Sequence, residues 1–431
     1  MANVLNRLDL KIYSAIIGGA FPLFLVYYGW NRFFNNKYIE SALYRLGLKY
    51  PLFEGIGERP IWIHALSVGE TMAAVPLVRA IKARNPDLPM VFSTSTETGQ
   101  ETARKKLNKY ITRFFYLPHD FPWALRRLIL SLMPRIFITI ETDAWPNLLH
   151  VLKEYNIPAF LVNGRISPGS FRRFSRFPRY SRFLFDSFDM CLMQSADDVD
   201  RFLKLGIGKN KVKNTGNLKF DMLPTISSAE KAMLAENLGI GISDKIWVSG
   251  STHEGEEKII LDAFTRVISR IPELRLILVP RHPNRATHVK KLVVGKGLGC
   301  ALRSVDRGFG NSEVLVVDTL GELAKLYSLA DLAFIGGSLV PVGGHNPLEA
   351  LAFGVPVIFG PYMYNFREIE ALLFKSNCAV KVSTVEDLTN VLMKLLGDSK
   401  LLRRMGDNAR RVVEINRGTS KRVVELLVLY L

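Results

Sequence analysis

The chain of 431 residues carries a net charge of +17, with 48% hydrophobic and 23% charged residues. This length is typical of two domains, and the hydrophobic content excludes an intrinsically disordered chain. Three distant cysteines, Cys191, Cys300 and Cys378, argue against a disulfide framework and favour a reducing compartment. The positive charge indicates an anionic partner, and the total alone leaves nucleic acid, an anionic membrane and a phosphorylated substrate open.

The N-terminal segment contains an uncharged stretch of 19 residues, from Ile12 to Trp30. Its length just reaches the roughly 20 residues that span a bilayer. Tyr28 and Trp30 suit the aromatic belt of a membrane interface. The absence of a small-residue cleavage site disfavours a signal peptide, and Pro22 leaves open a kinked span or a helix lying in the interface. The sequence therefore predicts a membrane anchor over residues 1–35, with the remaining chain as a soluble body.

After the anchor, short β-rich runs alternate with amphipathic helical stretches, which predicts parallel sheets built from βαβ units. The alternation of strands and helices stops near residues 216–228 and then resumes. We therefore expect two Rossmann-like α/β domains over residues 36–225 and 226–431. We also expect the last helix to cross back to the first domain. Ligands of such domains bind beyond the carboxyl ends of the strands, and a cleft between two halves is the expected site. The predicted strands are Ile61–Leu66, Met90–Ser95, Phe114–Leu117, Ile136–Ile140, Ala159–Val162, Met190–Met193, Ile246–Ser249, Leu274–Val279, Val314–Val317, Leu332–Ile335 and Val355–Phe359.

Glu70 ends the run His-Ala-Leu-Ser-Val-Gly-Glu, which follows the first predicted strand and opens a helix. The dipole of that helix favours an ionised carboxylate near its start, and Gly69 permits close approach of another group. A carboxylate at a strand end is a candidate general base, and a plain helix-capping role is the alternative.

Two further stretches place charged residues after a predicted strand and at the domain boundary, where a catalytic site is expected. Glu141 and Asp143 follow the strand Ile136–Ile140, and paired carboxylates suit acid–base or electrostatic work, although Asp and Thr before Pro also form an ordinary helix start. Lys219 lies in Gly-Asn-Leu-Lys-Phe-Asp at the domain boundary. It is a candidate for meeting developing negative charge, or else a solvated lysine.

The second half contains the features of a nucleotide site. Arg281 and His282 follow a strand, and the rigid guanidinium suits a phosphate or carboxylate. Glycines after another strand lead into Asn346, Pro347, Leu348 and Glu349 at a helix start, which suits an anion and the hydroxyls of a ribose. The dinucleotide and phosphate-loop glycine patterns are absent, which disfavours NAD and ATP.

A basic run interleaved with aromatics, from Arg165 to Arg182, suits acidic lipid headgroups or a phosphorylated acceptor, or else forms a solvated face. No residues have the spacing of a metal site. We therefore expect no metal ion and no bound cofactor.

Together these stretches resemble the Kdo (3-deoxy-D-manno-octulosonic acid) transferase family of lipopolysaccharide assembly, from about Ile61 to about Arg367. The resemblance rests on seven motifs in order, namely SVGE at Ser67–Glu70, ETDAWPN at Glu141–Asn147, GNLKFD at Gly216–Asp221, STHEGEE at Ser251–Glu257, PRHP around Arg281, GEL at Gly321–Leu323 and GGHNPLEA at Gly343–Ala350. Asp143 departs from the glutamate that many members have at this position.

The resemblance implies a GT-B fold, CMP-Kdo as donor and the phosphorylated lipid A precursor (lipid IVA) as acceptor, at the cytoplasmic face of a bacterial inner membrane. It implies an inverting, metal-independent reaction with Glu70 as general base and with Glu141 and Lys219 stabilising the transition state. No nucleic-acid partner is expected. The residues expected to hold CMP are Arg281, His282, Leu320, Gly321, Glu322, Gly337, Ser338, Asn346, Pro347, Leu348 and Glu349.

Two alternatives remain. One is another GT-B enzyme, such as a lipid-A disaccharide synthase or a UDP-sugar epimerase. The other is a basic protein without catalysis that binds a membrane surface or nucleic acid, in which case its binding to DNA would depend on salt.

Overall fold

The computed structural model describes residues 2–34, 40–56 and 59–431, and the chain divides into two compact units. The first unit comprises residues 1–222 together with 416–431, and the second comprises residues 223–415. The sequence placed the domain boundary at residue 225. The expected end of the anchor, at residue 35, lies outside the described residues.

The first unit is built on a seven-stranded sheet with the order β3-β2-β1-β4-β5-β6-β7, in which every neighbouring pair is parallel. Its central strands are buried along their whole length, as expected where helices cover both faces of a parallel sheet. The strands are β1 (Ile61–Ala65), β2 (Met90–Thr94), β3 (Arg113–Tyr116), β4 (Ile136–Ile140), β5 (Ala159–Gly164), β6 (Met190–Met193) and β7 (Val212–Asn214).

Helices of this unit connect the strands and form its N-terminal and C-terminal parts. They are α1 (Ala2–Gly19), α2 (Phe21–Phe34), α3 (Ala42–Arg45), α4 (Val68–Arg84), α5 (Glu97–Leu107), α6 (Pro122–Leu132), α7 (Pro146–Glu154), α8 (Pro168–Ser175), α9 (Pro178–Asp186), α10 (Ala196–Lys204) and, after the second unit, α20 (Thr419–Leu427). A 3₁₀ helix covers Leu218–Met222.

Alternation along the strands divides the apolar core of this unit into two layers. Trp62 and Phe137 pack into one layer, whereas the adjacent Ile63 and Ile138 pack into the other. Successive side chains of a strand point to opposite faces, so one apolar run supplies both layers.

The C-terminal helix α20 is an integral part of the first unit. Its residues Val423, Val424 and Leu427 belong to the core layer that contains α4. The Asp221 carboxylate accepts hydrogen bonds from the backbone N–H groups of Gly418 and Ser420, each at 2.6 Å, and so holds the start of the helix. The aspartate of the GNLKFD motif therefore has a structural role.

The expected anchor forms the two helices α1 and α2. Within residues 2–34, 40–56 and 59–431, no single helix is both long and apolar enough to cross a membrane. The segments Leu10–Gly19 and Phe21–Asn31 reach that length and composition together, and they are bent by 41°.

The second unit has its own seven-stranded parallel sheet with the order β10-β11-β9-β8-β12-β13-β14. The strands are β8 (Lys245–Thr252), β9 (Leu274–Pro280), β10 (Cys300–Leu302), β11 (Val314–Val316), β12 (Leu332–Ile335), β13 (Val357–Phe359) and β14 (Ala379–Lys381). The helices are α11 (Ser228–Leu238), α12 (Glu256–Ile268), α13 (Ala286–Val294), α14 (Arg303–Asp306), α15 (Leu323–Leu326), α16 (Leu348–Leu351), α17 (Arg367–Lys375), α18 (Val385–Gly397) and α19 (Ser399–Asn416).

Candidate active-site residues in each unit

In each sheet the strand order reverses at the first strand of the unit. In the first unit, β2 and β3 lie on one side of β1 and β4 lies on the other. In the second unit, β9 and β12 flank β8 in the same way. The loops that leave the carboxyl ends at a reversal diverge and form a crevice where ligands bind. The candidate residues Glu70 and Glu141 follow β1 and β4, and the glycine-rich loop follows β12.

Glu70 lies in the first turn of α4, directly beyond β1. Its Oε2 accepts a hydrogen bond of 2.5 Å from the backbone N–H of Leu66. Burial, followed by the negative charges of Glu141 and Asp143, raises the pKa of Glu70 to about 8, while the Leu66 hydrogen bond and Arg165 act in the opposite direction. The ionised form of a carboxyl group with such a pKa is a stronger base than an ordinary glutamate, and it becomes the major form as pH rises through about 8.

Glu141 is held between two cations immediately after β4. Its Oε2 accepts a hydrogen bond of 2.8 Å from Arg165 Nε, and Lys219 Nζ lies 3.6 Å from Oε1. Glu141 is only 6% exposed and adopts a φ of +60°. A non-glycine residue in this region costs about 1–3 kcal/mol, and such strain concentrates at functional sites. The structure thus brings Glu141 and Lys219 together.

Asp143 is connected to the interior of the sheet by a chain of buried hydrogen bonds. Trp62 Nε1 donates to Ser93 Oγ at 2.7 Å, Ser93 Oγ lies 2.8 Å from His64 Nδ1, and His64 Nε2 lies 3.0 Å from Asp143 Oδ2. His64 is fully buried, whereas the Asp143 side chain is 16% exposed. Both residues lie in the sequence motifs described above, but the sequence does not predict that they pair.

The loop that carries Lys219 is fixed by side-chain amides. Asn163 Oδ1 accepts from the backbone N–H of Leu218 at 2.9 Å, and Asn217 Oδ1 accepts from that of Lys219 at 3.0 Å. Asn217 also donates to Gln194 Oε1 at 2.8 Å. These bonds set the position of the lysine relative to Glu141.

Asp120 is a buried carboxylate that was not among the predicted site residues. It accepts from the backbone N–H groups of Asn147 and Leu148, each at 2.9 Å, and so caps the start of α7. Burial raises the pKa of Asp120 to about 6, against the effect of these hydrogen bonds. The His-Asp pair at residues 119 and 120, just before an apolar helix, was the available signal.

In the second unit, two imidazoles stack beyond the ends of β8 and β12. The Nε2 atoms of His253 and His345 are 2.8 Å apart, and the rings are 5.1 Å apart with an interplanar angle of 7°. The ring of His282 lies 6.2 Å from that of His253. Burial, followed by the charges of His253 and Arg281, lowers the pKa of His345 to about 4. The expected donor residues Arg281 and His282 are exposed beside this pair.

A buried carboxylate organises the glycine-rich loop after β12. Glu256 is fully buried and accepts from the backbone N–H groups of Gly337, Ser338 and Leu339 at 2.7, 2.9 and 2.9 Å. It also accepts from that of His253 at 2.9 Å. The amides of Gly337 and Ser338, expected to face a ligand, therefore point to a carboxylate of the chain itself.

The remaining donor-site candidates lie beyond β11 and β12. Leu320 is 80% exposed next to Gly321, and Glu322 accepts from Arg303 Nε at 2.8 Å. The side chain of Asn346 bonds to Glu349, and its Oδ1 accepts from the N–H of Leu348 at 3.2 Å, directly after Pro347. The helix expected to start here is α16, which has only four residues.

Within the part of the chain that the structure describes, no group of three or more histidine, cysteine, aspartate or glutamate side chains is arranged to hold a metal ion.

Two solved structures share this architecture, one of an epimerase and one of a glycosyltransferase. UDP-GlcNAc 2-epimerase from Neisseria meningitidis, bound to UDP-GlcNAc, matches with a TM-score of 0.58 and 14% identity over 86% of this chain and all of that chain. A glycosyltransferase from Rickettsia africae matches with a TM-score of 0.53 and 15% identity over 87% of this chain and 98% of that chain. These likenesses establish the fold, two parallel-sheet α/β domains as in GT-B proteins.

Two family models match the chain. Residues 41–222 match the 3-deoxy-D-manno-octulosonic-acid transferase (kdotransferase) model, and residues 308–412 match the model of glycosyl transferases group 1. The fold, the carboxylates beyond β1 and β4 and these matches define a glycosyltransferase.

Similar proteins of known name identify the glycosyltransferase family to which the chain belongs. The 3-deoxy-D-manno-octulosonic acid transferase of Haemophilus influenzae is 34% identical over 97% of this chain and 98% of the relative. The enzymes of that name from Chlamydia trachomatis and Bordetella pertussis are each 31% identical, over 90% and 85% of this chain and 90% and 86% of the relatives. The chain belongs to the 3-deoxy-D-manno-octulosonic acid transferase family.

Proposed function

We propose that this Kdo transferase moves Kdo from CMP-Kdo to a hydroxyl of the phosphorylated lipid A precursor, lipid IVA, with inversion at the anomeric carbon. The acceptor oxygen bonds to that carbon, the bond to the CMP phosphate breaks, and the acceptor proton passes to Glu70. The observation that carries this assignment is the position of Glu70, half-buried at the reversal point of the first sheet with a pKa of about 8.

The neighbours of Glu70 support its role as the general base. Burial and two nearby carboxylates increase its affinity for a proton, which strengthens it as the acceptor of a hydroxyl proton. Glu141 keeps Lys219 and Arg165 close to the same site, and these cations suit the negative charge that develops on the departing phosphate or is carried by the acceptor phosphates.

For donor binding we propose the exposed Arg281 and His282, together with residues 320–322 and 346–349 of the second unit. The guanidinium forms paired hydrogen bonds to phosphate oxygens, and the Glu349 carboxylate, oriented by Asn346, suits ribose hydroxyls. Because Glu256 occupies the amides of Gly337 and Ser338, we assign these two residues to the shape of the loop and not to direct phosphate contacts.

We further propose that the reaction requires neither a metal ion nor a cofactor and takes place at the cytoplasmic face of a bacterial inner membrane. The net charge of +17 supports an anionic donor and an anionic lipid acceptor. The uncharged residues of α1 and α2 support a membrane location.

The test is transfer of Kdo from freshly made CMP-Kdo to lipid IVA in detergent, with the products identified by mass. We expect Glu70→Gln to lose at least 100-fold in rate while retaining CMP binding by calorimetry, and Glu101→Gln, an exposed carboxylate one helix away, to retain full rate. If the folded wild type binds CMP but transfers no Kdo, lipid IVA is not the acceptor. If Glu70→Gln transfers Kdo at the wild-type rate, Glu70 is not the general base.

A further inference from the structure

The N-terminal helices α1 and α2 each place one face against the first unit and leave the opposite face exposed. Positions three or four residues apart are buried or half-buried, as expected for one side of a helix. These inner positions are Leu10, Tyr13, Ser14, Ile17, Phe21, Phe24 and Tyr28. The outer positions Ile12, Ile16, Leu23, Val26, Trp30 and Phe33 are between 52% and 81% exposed.

The inner face of α1 is attached to the unit by polar contacts. Ser14 Oγ donates to Asn147 Oδ1 at 2.6 Å. The Tyr13 hydroxyl forms a hydrogen bond with Asp120, the buried carboxylate that caps α7. These contacts attach the middle turns of α1 to the first unit.

The inner face of α2 is attached in the same way. The Tyr28 hydroxyl lies 2.8 Å from His119 Nε2, and the guanidinium of Arg45 lies 5.6 Å from the Tyr28 ring. The rings of Phe21 and Phe24 pack edge-on against Phe121, with centroids 5.2 and 5.7 Å apart. Contacts therefore accompany both helices on either side of their bend.

These contacts constrain how the helix pair can meet a bilayer. They run from residue 13 to residue 28, which is about 22 Å of helix, most of a hydrocarbon core of about 30 Å. A helix pair that crossed the membrane with these contacts intact would carry Asp120, His119 and Arg45 into the hydrocarbon. Ionisable groups there are strongly disfavoured.

We propose that α1 and α2 lie in the plane of the membrane surface, with their outer face in the lipid, and do not cross the bilayer. Both ends of the pair then lie on the same side as the body of the protein. The proposal rests on the membrane location of the proposed function. The two are separable, because transfer in detergent is measured without a bilayer.

The surface around the outer face fits an anionic bilayer. A groove of about 630 Å³ lies between α1 and α9, and Arg176 and Arg179 line it beside Ile12 and Ile16. Phe177, 64% exposed at the same groove, extends the apolar surface. Guanidinium groups next to exposed apolar side chains pair with lipid phosphates while the apolar groups enter the acyl region.

Topology gives the decisive test. The full chain, with a protease-cleavable epitope at each end, is produced in bacterial cells, and sealed inside-out membrane vesicles are treated with protease. We expect both epitopes to be cleaved to the same extent without detergent. An N-terminal epitope that stays protected while the C-terminal epitope is cleaved would overturn the proposal in favour of a span.

A second experiment tests the lipid-facing side with a matched control. Val26→Glu on the outer face should reduce binding to vesicles containing phosphatidylglycerol at least tenfold, whereas Ile242→Glu, at a fully exposed site of the second unit, should leave it unchanged. Circular dichroism checks that both variants are folded. Unchanged vesicle binding by folded Val26→Glu would overturn the proposal. A dimer in lipid-free solution that only Val26→Glu disrupts would also overturn it, because the outer face would then bind a second copy of the chain and not lipid.

Discussion

His64 Nε2 and Asp143 Oδ2 are 3.0 Å apart, which connects a fully buried imidazole of β1 to the carboxylate that follows β4. Because Ser93 Oγ accepts from Trp62 Nε1, its own proton is available for His64 Nδ1. In this arrangement Nδ1 accepts from the Ser93 hydroxyl, and Nε2–H donates to the Asp143 carboxylate. The interior of the sheet thereby sets the orientation of a carboxylate whose charge acts on Glu70.

The first prediction concerns this buried chain. His64→Gln removes the donor to Asp143 and leaves the Ser93 hydroxyl with a poorer partner, so we expect it to lower stability by about 1–3 kcal/mol. We also expect a transfer rate roughly 10- to 100-fold lower, because Asp143 loses its fixed position. Urea unfolding and the transfer assay measure the two effects. His288→Gln, at an exposed position of α13, should change neither quantity, and a wild-type rate in His64→Gln would show that the chain has only a packing role.

The second prediction is the pH dependence of transfer. If Glu70 must be ionised to act as base, the rate rises with pH through the pKa of about 8. Asp143→Asn removes a negative neighbour that raises this pKa, so the rising limb should move to lower pH by about half a unit to one unit. Loss of Arg165, whose charge lowers the same pKa, should move it to higher pH. Rate profiles from pH 6 to pH 9.5 decide the matter, and identical limbs in all three proteins would contradict the assignment.

The same shift has a consequence for stability. The pKa of Glu70 rises from 4.5 to about 8 on folding, so the folded state binds more protons than the unfolded state between these values. Stability attributable to this group is therefore present below about pH 4.5 and is lost as pH rises through 8. Glu70→Gln should raise the thermal midpoint relative to wild type at pH 8.5 and change it little at pH 4.5. A difference that shrinks with rising pH would contradict this sign.

The strand pattern and the location of Glu70 were predictable from the sequence, since continuous apolar runs specify buried parallel strands. Ile61–Leu66 was expected where β1 covers Ile61–Ala65, and Ile136–Ile140 coincides with β4. The three-residue strands β7, β10 and β14 were not predicted. Each is too short to show a recognisable pattern of apolar residues. All three lie at the edges of the sheets, where burial is incomplete.

Pairings between motifs were not predictable, because they depend on strand order. His64 and Asp143 are 79 positions apart and meet only because β4 lies beside β1. Arg165 was grouped with a basic run expected to contact lipid or acceptor, yet its Nε binds Glu141, 24 positions earlier. Glu256 was quoted in a motif, but its three amide partners lie more than 80 positions away.

The third prediction concerns the cation beside Glu141. Lys219→Met should reduce transfer about 100- to 1000-fold, because it removes the positive charge beside Glu141 that we propose to stabilise developing negative charge. Glu141→Gln should cost a similar factor, and the double variant should lose little more than either single variant, since the two side chains act as a pair. Steady-state rates of the wild type, the two single variants and the double variant give a double-mutant cycle. Lys213→Met, an exposed lysine on β7, is the matched control, and fully multiplicative losses would show that Lys219 and Glu141 act independently.

The last prediction separates loop organisation from ligand contact in the second unit. Glu256 accepts four backbone N–H groups, and Glu256→Gln replaces one acceptor oxygen by an NH₂ group that faces donors. We expect a loss of stability of about 1–3 kcal/mol and a CMP affinity at least tenfold weaker, because the loop that carries Gly337 and Ser338 shifts. Glu254→Gln, exposed two residues earlier, should keep both values. Calorimetric titration with CMP below the unfolding temperature distinguishes the cases: a destabilised variant with wild-type affinity would show that the loop keeps its shape without the carboxylate.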